Sequence, residues 1–326
     1  MSSTVSVALG THNGAAYLEQ QLRSILSQTV TPVEIVLSDD ASTDTTVDLA
    51  ERVVAGSGVR LRVIRNETPL GVTRNFEQAI LACGSEFVAL CDQDDEWMPD
   101  RLEQALRVFQ ARPQISLVHG NATLIDAVGA PLGASLFEAL GIGSAAIADI
   151  HEGRAFDLLM KRNLVTGAAT MLRRSLAESS APFPPGWVHD EWLAIVAAAH
   201  DAIDVIDEPI LGYRQHGANQ IGVKALSFAG KLGRMLEPGA ERNDRLLERA
   251  KQLEKRLASM DGVPSERREA AVEKRRHEEA RSGLHGGRLR RIGPVLRELR
   301  TGRYRLFGRG AADGVRDLLQ PLKGSG

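Results

Sequence analysis

The first 120 residues alternate between short apolar runs and segments in which apolar residues recur every three or four positions. The first pattern is typical of buried strands and the second of amphipathic helices. Strands are therefore predicted over 5–9, 34–38, 59–64, 86–91 and 115–119, and helices over about 14–26, 44–54, 74–83 and 99–110. Strand–helix alternation at this spacing predicts a mainly parallel sheet covered by helices on both faces, an α/β fold.

The pattern is less regular after residue 120. A loop is predicted over 129–143, a strand over 165–172, a helix over 189–200, and one or two strands over 202–214. Beyond Lys224 the composition shifts to Arg, Glu, Leu and Ala. That shift predicts one or two long polar helices over 241–281, a break at 283–287, and a basic amphipathic helix over 288–300.

The charge of the chain is divided in the same way. The 326 residues carry a net charge of only −2, but residues 224–326 hold 25 basic and 14 acidic side chains. We therefore divide the chain into an acidic region over 1–223 and a basic helical region over 224–326.

The sequence also indicates a location. No apolar run approaches the ~20 residues that span a bilayer, and the first residues have no signal-peptide pattern. The two cysteines, Cys83 and Cys91, lie in apolar runs and are expected to be buried free thiols. Together these features predict a cytoplasmic protein.

Candidate chemistry lies where the predicted strands end, because ligands bind beyond the carboxyl ends of parallel strands. Asp92, Asp94 and Asp95 follow the fourth strand. Carboxylates this close repel one another unless a cation is bound or their pKa values shift, and Mg²⁺ is usually held by one or two carboxylates and substrate phosphates. The pattern favours a metal–diphosphate site; the alternative is an acidic turn that caps the next helix.

Two further loops follow strands. Asp39 and Asp40 follow the second strand, where they could bind an N–H group or cap the next helix. The loop over 10–14, which contains Thr11 and Asn13, matches neither G-x-G-x-x-G nor the P-loop pattern. Dinucleotide-binding and P-loop functions are therefore not supported.

Taken together, these segments resemble family 2 glycosyltransferases with the GT-A fold. The resemblance covers about 4–222 and includes Thr166–Ala168, His189–Trp192 and Tyr213–Asn219. The forms over 92–97 and 189–192 are most similar to the rhamnosyltransferase-like branch of polysaccharide and O-antigen assembly. The resemblance implies a GT-A-like, Rossmann-like sheet and a nucleotide-diphospho-sugar donor, dTDP-rhamnose or a UDP-sugar. It also implies a glycan or lipid-linked glycan acceptor. By this resemblance the region over 1–223 would be the catalytic domain, with a nucleotide-binding half over 1–120 and an acceptor-binding half over 121–223.

The resemblance also implies roles for single residues. Donor-binding residues would be Thr11, Asn13, Asp39, Asp40, Arg74, Asp92 and Arg214, with Asp39 reading the N3–H of uracil or thymine. Asp92, Asp94 and His216 would hold Mg²⁺ or Mn²⁺, with Asp95 as a further ligand or sugar contact. Trp187 is the best candidate for stacking on an acceptor sugar, although burial is the usual role of Trp97, Trp187 and Trp192.

Asp190 would be the general base. A single base and one in-line displacement predict inversion at the anomeric carbon. His189 stands where the family usually has an acid before the base. Glu191 therefore remains an alternative base, and a nucleotide-sugar-binding protein that has lost catalysis remains an alternative function. Asp190 could also act only as a helix cap. A sugar nucleotidyltransferase is a further alternative function. It ranks low because a resemblance to that class would require Lys and Arg in the first loop, and the loop over 10–14 has neither.

The basic stretch over 288–309 mixes eight arginines with apolar residues. Such stretches can lie on anionic membranes, but they are as often solvated helical faces or oligomer contacts. Both interpretations stay open from the sequence. Nucleic acid is not an expected partner, because no binding motif is present and residues 1–223 are acidic.

Overall fold

A computed structural model describes residues 4–216, 239–284 and 287–320. It divides into a sheet unit (1–155, 164–183 and 187–223) and a helical unit (156–163, 184–186 and 224–326). The predicted boundary at 223/224 and the end of the Tyr213–Asn219 motif lie outside the described residues. That boundary therefore stays a prediction.

The sheet unit contains nine strands among the described residues. They are β1 Val5–Thr11, β2 Glu34–Asp39, β3 Arg60–Arg65, β4 Phe87–Cys91, β5 Glu96–Trp97, β6 Leu117–Ile125, β7 Pro131–Ser135, β8 Thr170–Arg173 and β9 Ile203–Arg214. Their order is β3-β2-β1-β4-β8-β6-β9-β5, with β7 beside β6. Strands β3, β2, β1 and β4 are parallel, as predicted, whereas β8 runs antiparallel to β4 and β6.

Helices connect these strands and form the second unit. They are α1 Leu18–Leu26, α2 Thr46–Val54, α3 Val72–Ala82, α4 Arg101–Ala111, α5 Leu136–Leu140, α6 Ser144–His151, α7 Ala155–Leu159, α8 Arg174–Ser180, α9 His189–Ala199, α10 Gly239–Ser259, α11 Ser265–Ser282, α12 Arg288–Arg300, α13 Arg303–Phe307 and α14 Ala311–Leu319. No described helix is both long enough and apolar enough to cross a membrane.

The core lies around the central strands. Every residue of β2 and β4 is buried, and so is β1 apart from Gly10. Helices cover both faces, which explains why these strands appear in the sequence as continuous apolar runs instead of alternating ones. Cys83 and Cys91 are buried free thiols, as predicted.

Two expectations for the second half of the sheet unit were wrong. Residues 129–143 are not a loop: they form β7 and α5, and α5 begins with a capping box between Ser135 and Glu138. That Ser-x-x-Glu signal is readable in the sequence. The strand expected over 165–172 is shortened to β8, because Gly167–Ala169 form a 3₁₀ turn.

Candidate active site

A cavity of about 390 Å³ lies at the carboxyl ends of β1 and β4, within the sheet unit. This volume is in the range of small-molecule sites. Seven separate segments of the chain line it, and they bring together most of the predicted residues. These are Thr11, Asn13, Asp40, Asp92, Asp94, Asp190 and His216.

The loop after β1 is held in shape by the loop after β2. Asn13 has a φ of +48°, a left-handed conformation that Asn tolerates better than most residues. Its backbone N–H donates to Ser42 Oγ, and its Oδ1 accepts from the Thr43 N–H, both at 2.8 Å. Asn13 therefore lines the cavity and also joins the two loops.

The adjacent carboxylates after β2 face different surroundings. Asp39 is buried, and it accepts hydrogen bonds from Thr11 Oγ1 at 2.9 Å and from the Ser42 N–H at 2.9 Å. Asp40 lines the cavity and accepts the backbone N–H groups of Leu70 (2.6 Å) and Gly71 (2.9 Å). The expected base-reading carboxylate, Asp39, does not line the cavity, whereas its neighbour does.

Gln93, which the sequence analysis did not single out, joins the loops after β1 and β4. Its Oε1 accepts the His12 N–H at 2.8 Å, and its Nε2 donates to the His12 carbonyl at 3.1 Å. A Cβ atom on Gly14 would lie 2.2 Å from Gln93 Oε1. A larger residue at that position would therefore displace the Gln93 side chain.

The carboxylates after β4 are strongly perturbed. Burial raises the pKa of Asp92 to about 7, and the charges of Asp94 and Asp190 add to this effect. Burial and the charges of Asp94 and Asp92 raise the pKa of Asp95 well above its usual range. Such pKa shifts cluster at functional sites, where a bound ligand or cation can offset the crowded negative charges.

A buried arginine lies behind these acids. Arg101 stacks over Trp97 at 3.7 Å, and its Nη2 donates to the Leu90 carbonyl at 2.9 Å. Its charge lowers the pKa of Asp92, but less than burial raises it. Arg101 was also missed by sequence reasoning, because a lone arginine in an amphipathic helix gives no signal of inward orientation.

The donor atoms at the cavity suit a hard divalent cation. His216 lies 2.8 Å from Asp94 and stacks on Tyr17. Nowhere in 4–216, 239–284 or 287–320 do three His, Cys, Asp or Glu side chains converge as a complete metal site. Mg²⁺ characteristically takes one or two protein carboxylates and completes its shell with water and substrate phosphate oxygens. Asp92 and Asp94 fit that incomplete type of site.

Asp190 faces the cavity from the first turn of α9. Its Oδ2 accepts the Gly167 N–H at 2.8 Å, so the 3₁₀ turn that shortened β8 is held by this carboxylate. His189 beside it is buried and stacked on Phe76, with ring centroids 4.1 Å apart. Burial lowers the pKa of His189 to about 3, so the side chain that replaces the expected acid is uncharged at neutral pH. Glu191 does not line the cavity.

Two arginines that the resemblance assigns to donor binding do not line the cavity. Arg74 is half-exposed and pairs with Glu77. Arg214 is 1% exposed, and its guanidinium donates to the carbonyls of Asp94 (2.7 Å), Asp126 (3.2 Å) and Ala127 (3.2 Å). Arg214 departs from the predicted contact with the sugar nucleotide, because its guanidinium N–H groups donate to carbonyls of the loops around 94 and 126.

The three tryptophans differ in how far they are buried. Trp97 and Trp192 are buried, and Trp187 is half-buried at an edge of Trp192, with ring centroids 5.4 Å apart. The Trp187 carbonyl accepts from Thr73 Oγ1 at 3.0 Å. None of the three lines the cavity itself.

The sheet order, the acidic strand ends and the cavity define a GT-A-like fold. The crystal structure of Staphylococcus aureus TarS 1–349 in complex with UDP-GlcNAc is similar to it, with a TM-score of 0.58, 17% identity, and coverage of 85% of this chain and 72% of that one. The family model "Glycosyl transferase family 2" matches residues 6–178. The chain therefore belongs to glycosyl transferase family 2.

The curated relatives are also distant in sequence. An uncharacterized glycosyltransferase of Nostoc sp. is 28% identical over 225 residues, which are 66% of each chain. The dTDP-rhamnosyl transferase RfbG of Shigella flexneri is 24% identical over 241 residues, which are 70% of this chain and 78% of RfbG. The chain spans about 59 to 66% of the length of the first curated relatives that it matches.

Proposed function

We propose that this protein transfers a sugar from a nucleotide-diphospho-sugar to a hydroxyl group of a glycan or lipid-linked glycan acceptor. The observation that carries the proposal is one cavity in which Asp92, Asp94 and Asp190 meet from two distant elements. Burial and mutual repulsion, which together raise the pKa of Asp92, disfavour this arrangement unless a cationic or hydrogen-bonding ligand offsets them. Membership of glycosyl transferase family 2 supports the same conclusion.

The nucleotide would bind along the loops after β1 and β2. Thr11, Asn13 and Asp40 line this side of the cavity, and hydrogen bonds between the loops hold them in place. We assign the contact with the base edge to Asp40, with Asp39 orienting Thr11 from behind. Preorganised loops of this kind reduce the entropy that is lost on binding.

A divalent cation, Mg²⁺ or Mn²⁺, would be held by Asp92 and Asp94, with His216 beside Asp94. When bound, it would neutralise charge on the departing diphosphate. Arg214 would hold the backbone of Asp94 in place for this cation, because its Nε donates to the Asp94 carbonyl at 2.7 Å. Arg214 thus acts as a positioning residue for the acidic loop.

Asp190 would accept the proton of the attacking hydroxyl. Its carboxylate is held by the Gly167 N–H and lies at the N-terminus of α9, where the helix dipole favours negative charge. One base on the acceptor side supports a single displacement and therefore inversion at the anomeric carbon. Such a base contributes typically about 10²–10⁴-fold to the rate.

The donor and the biological setting are proposed more narrowly from similarity. The Shigella flexneri relative is named a dTDP-rhamnosyl transferase, and an Escherichia coli relative is named a UDP-Glc:α-D-GlcNAc-diphosphoundecaprenol β-1,3-glucosyltransferase. We propose dTDP-rhamnose, or otherwise a UDP-sugar, as the donor. Polysaccharide or O-antigen assembly is the corresponding process.

The test is a thermal-shift titration with UDP, dTDP, GDP and CDP, each with and without Mg²⁺ or Mn²⁺. A ligand at 100 times its dissociation constant should stabilise the protein by about 2.7 kcal/mol. We expect one pyrimidine diphosphate to stabilise the wild type only with metal, and Asp94→Asn to abolish the shift. Glu19→Gln, at an exposed carboxylate of α1, is the matched control.

The outcomes separate the candidate functions. No shift with any nucleotide and metal would refute the donor site. Donor binding without product formation, across several acceptors, would favour the catalytically impaired alternative. Release of pyrophosphate from a nucleoside triphosphate would favour a nucleotidyltransferase.

A further inference from the structure

Helix α12 buries two charged side chains and exposes a row of apolar ones, unlike an ordinary surface helix. Arg291, Val295 and Glu298 form its buried stripe. Leu289, Ile292 and Leu296 are 84%, 41% and 46% exposed. Their spacing of three and four residues places them together on one face of the helix. Two of the three side chains turned inward are therefore charged, whereas the exposed stripe is apolar.

An internal network explains why the charged stripe is buried. Arg291 Nη1 donates to the main-chain carbonyls of Asp317 (3.3 Å) and Gln320 (2.8 Å). Glu298 lies 2.9 Å from His277 Nδ1 and accepts from Arg303 Nη1 at 3.0 Å. These buried polar groups are satisfied inside the helical unit, which leaves the apolar side chains to the surface.

Helix α14 repeats the arrangement. Asp313 and Asp317 are buried, and Asp317 accepts from Arg281 Nε at 2.7 Å and from the Tyr304 hydroxyl at 2.8 Å. Val315 and Leu319, four residues apart, are 50% and 51% exposed. Two helices of one small unit therefore both turn carboxylates inward and aliphatic side chains outward.

The charge of the exposed side follows from this arrangement. The only carboxylates in the described stretch 287–320 are Glu298, Asp313 and Asp317, and all three are buried. The exposed basic residues of the same stretch are Arg288, Arg290, Arg297, Arg300, Arg305 and Arg309. We call the exposed side chains of 287–320 the arginine–leucine surface: arginines and aliphatic groups, with no exposed carboxylate.

From this chemistry we propose that the arginine–leucine surface docks onto an anionic lipid bilayer. Helices that lie in the membrane interface combine a basic face with a row of Leu, Ile or Val that enters the acyl region, and they bind anionic lipid preferentially. The lipid headgroups would supply the negative charge that the carboxylates of 287–320, being buried, do not offer at this surface.

Other occupants fit less well. A solvated helical face would carry charges of both signs and no aliphatic stripe. In a two-fold dimer through this surface, arginines would face arginines without carboxylates of the stretch to pair them. Nucleic acid would engage the arginines but leave the aliphatic stripe exposed to water.

The test is sedimentation of the full chain with vesicles of phosphatidylcholine alone or with about 30% phosphatidylglycerol. We expect binding to the anionic vesicles only, and its loss at about 1 M salt, where the Debye length is about 3 Å. The double variant Leu289→Asp/Leu296→Asp should weaken binding by about tenfold or more, because it removes apolar contact and adds repulsion.

Both changed positions are exposed, so the thermal unfolding temperature should stay that of the wild type. Val128→Asp, at an 85% exposed position of the sheet unit, is the matched control and should bind as the wild type does. Equal binding to neutral vesicles, or unchanged binding of the double variant, would overturn the proposal. The proposal would also be overturned if the wild type were a dimer that does not bind vesicles and that the double variant converts to monomer. Retention of duplex RNA without binding to vesicles would overturn it too. The assay contains no donor or acceptor, so its outcome is independent of the proposed transfer reaction.

Discussion

Single residues at the site divide into those that face the cavity and those that hold its walls. Asp92, Asp94 and Asp190 face it, whereas Arg214 and Gln93 fix the loops that carry the acids. The sequence motifs contain both groups, because both lie in the same short segments, but they do not tell them apart. Only the direction of each side chain separates them.

Replacement of Arg214 tests the positioning role. Arg214→Met removes the donors to the carbonyls of Asp94, Asp126 and Ala127, so buried acceptors lose their partners. We expect the free energy of unfolding to fall by about 3 kcal/mol in urea titrations. Arg23→Met, at an exposed arginine of α1, should change it by less than about 0.5 kcal/mol. Full stability with selective loss of diphosphate binding would instead support a direct phosphate contact.

The identity of the base is tested by paired substitutions. Asp190→Asn should lower kcat by about 10²–10⁴-fold with little change in donor KM, because the group acts on the acceptor proton. Glu191→Gln should retain activity, since Glu191 does not line the cavity. The measurement is steady-state transfer, with the anomeric configuration of the product read by NMR. Reversed effects of the two variants would assign the base to Glu191.

At the scale of elements, the site depends on loops that are tied together in pairs. The loop after β1 is joined to the loop after β2 by Asn13 and to the loop after β4 by Gln93. A parallel sheet brings these loops to one edge, but hydrogen bonds across the edge determine their shape.

Gly14→Ala tests the contact with Gln93. The added Cβ would lie 2.2 Å from Gln93 Oε1, so the side chain must leave His12. We expect nucleotide affinity in the thermal-shift assay to fall by about tenfold, which corresponds to about 1.4 kcal/mol. Gly143→Ala, where nothing lies within 4 Å of the added atom, is the control. Equal affinity in both variants would show that the Gln93 contact is dispensable.

The elements also show where pattern reasoning failed. The parallel strands are recognisable because burial on both faces makes them continuous apolar runs. Strand β7 is not recognisable in the sequence, because its residues are mostly exposed and the strand is held by pairing with β6. Pairing across a sheet is a non-local interaction, so local composition does not report it.

At the scale of the whole molecule, a buried neutral histidine makes stability depend on pH. His119 is 1% exposed, and burial lowers its pKa to about 4, with the charge of Asp204 opposing the shift only partly. Below pH 6.5 the unfolded chain binds a proton that the folded chain does not. The free energy of unfolding therefore falls as pH decreases toward 4, and this contribution is fully present only above about pH 6.5.

His119→Gln removes that titration. Between pH 6 and 5 the wild type should lose about 1.4 kcal/mol per pH unit more than the variant. Urea unfolding at several pH values measures the difference in slope. Identical slopes would show that His119 titrates alike in the folded and unfolded chain. The comparison cancels the contributions of the remaining titratable groups, which both proteins share.

The sequence by itself determined the α/β class, the parallel strands and the acidic loops at their ends. It could do so because these depend on local hydrophobic periods and on the rule that parallel strands share a carboxyl edge. Only the tertiary structure decided which of two neighbouring residues faces the cavity, Asp40 instead of Asp39, and that Arg214 turns to carbonyl groups. It also decided that helices α12 and α14 bury their carboxylates and expose aliphatic side chains. Side-chain direction depends on partners far away in the chain, and no local pattern records them.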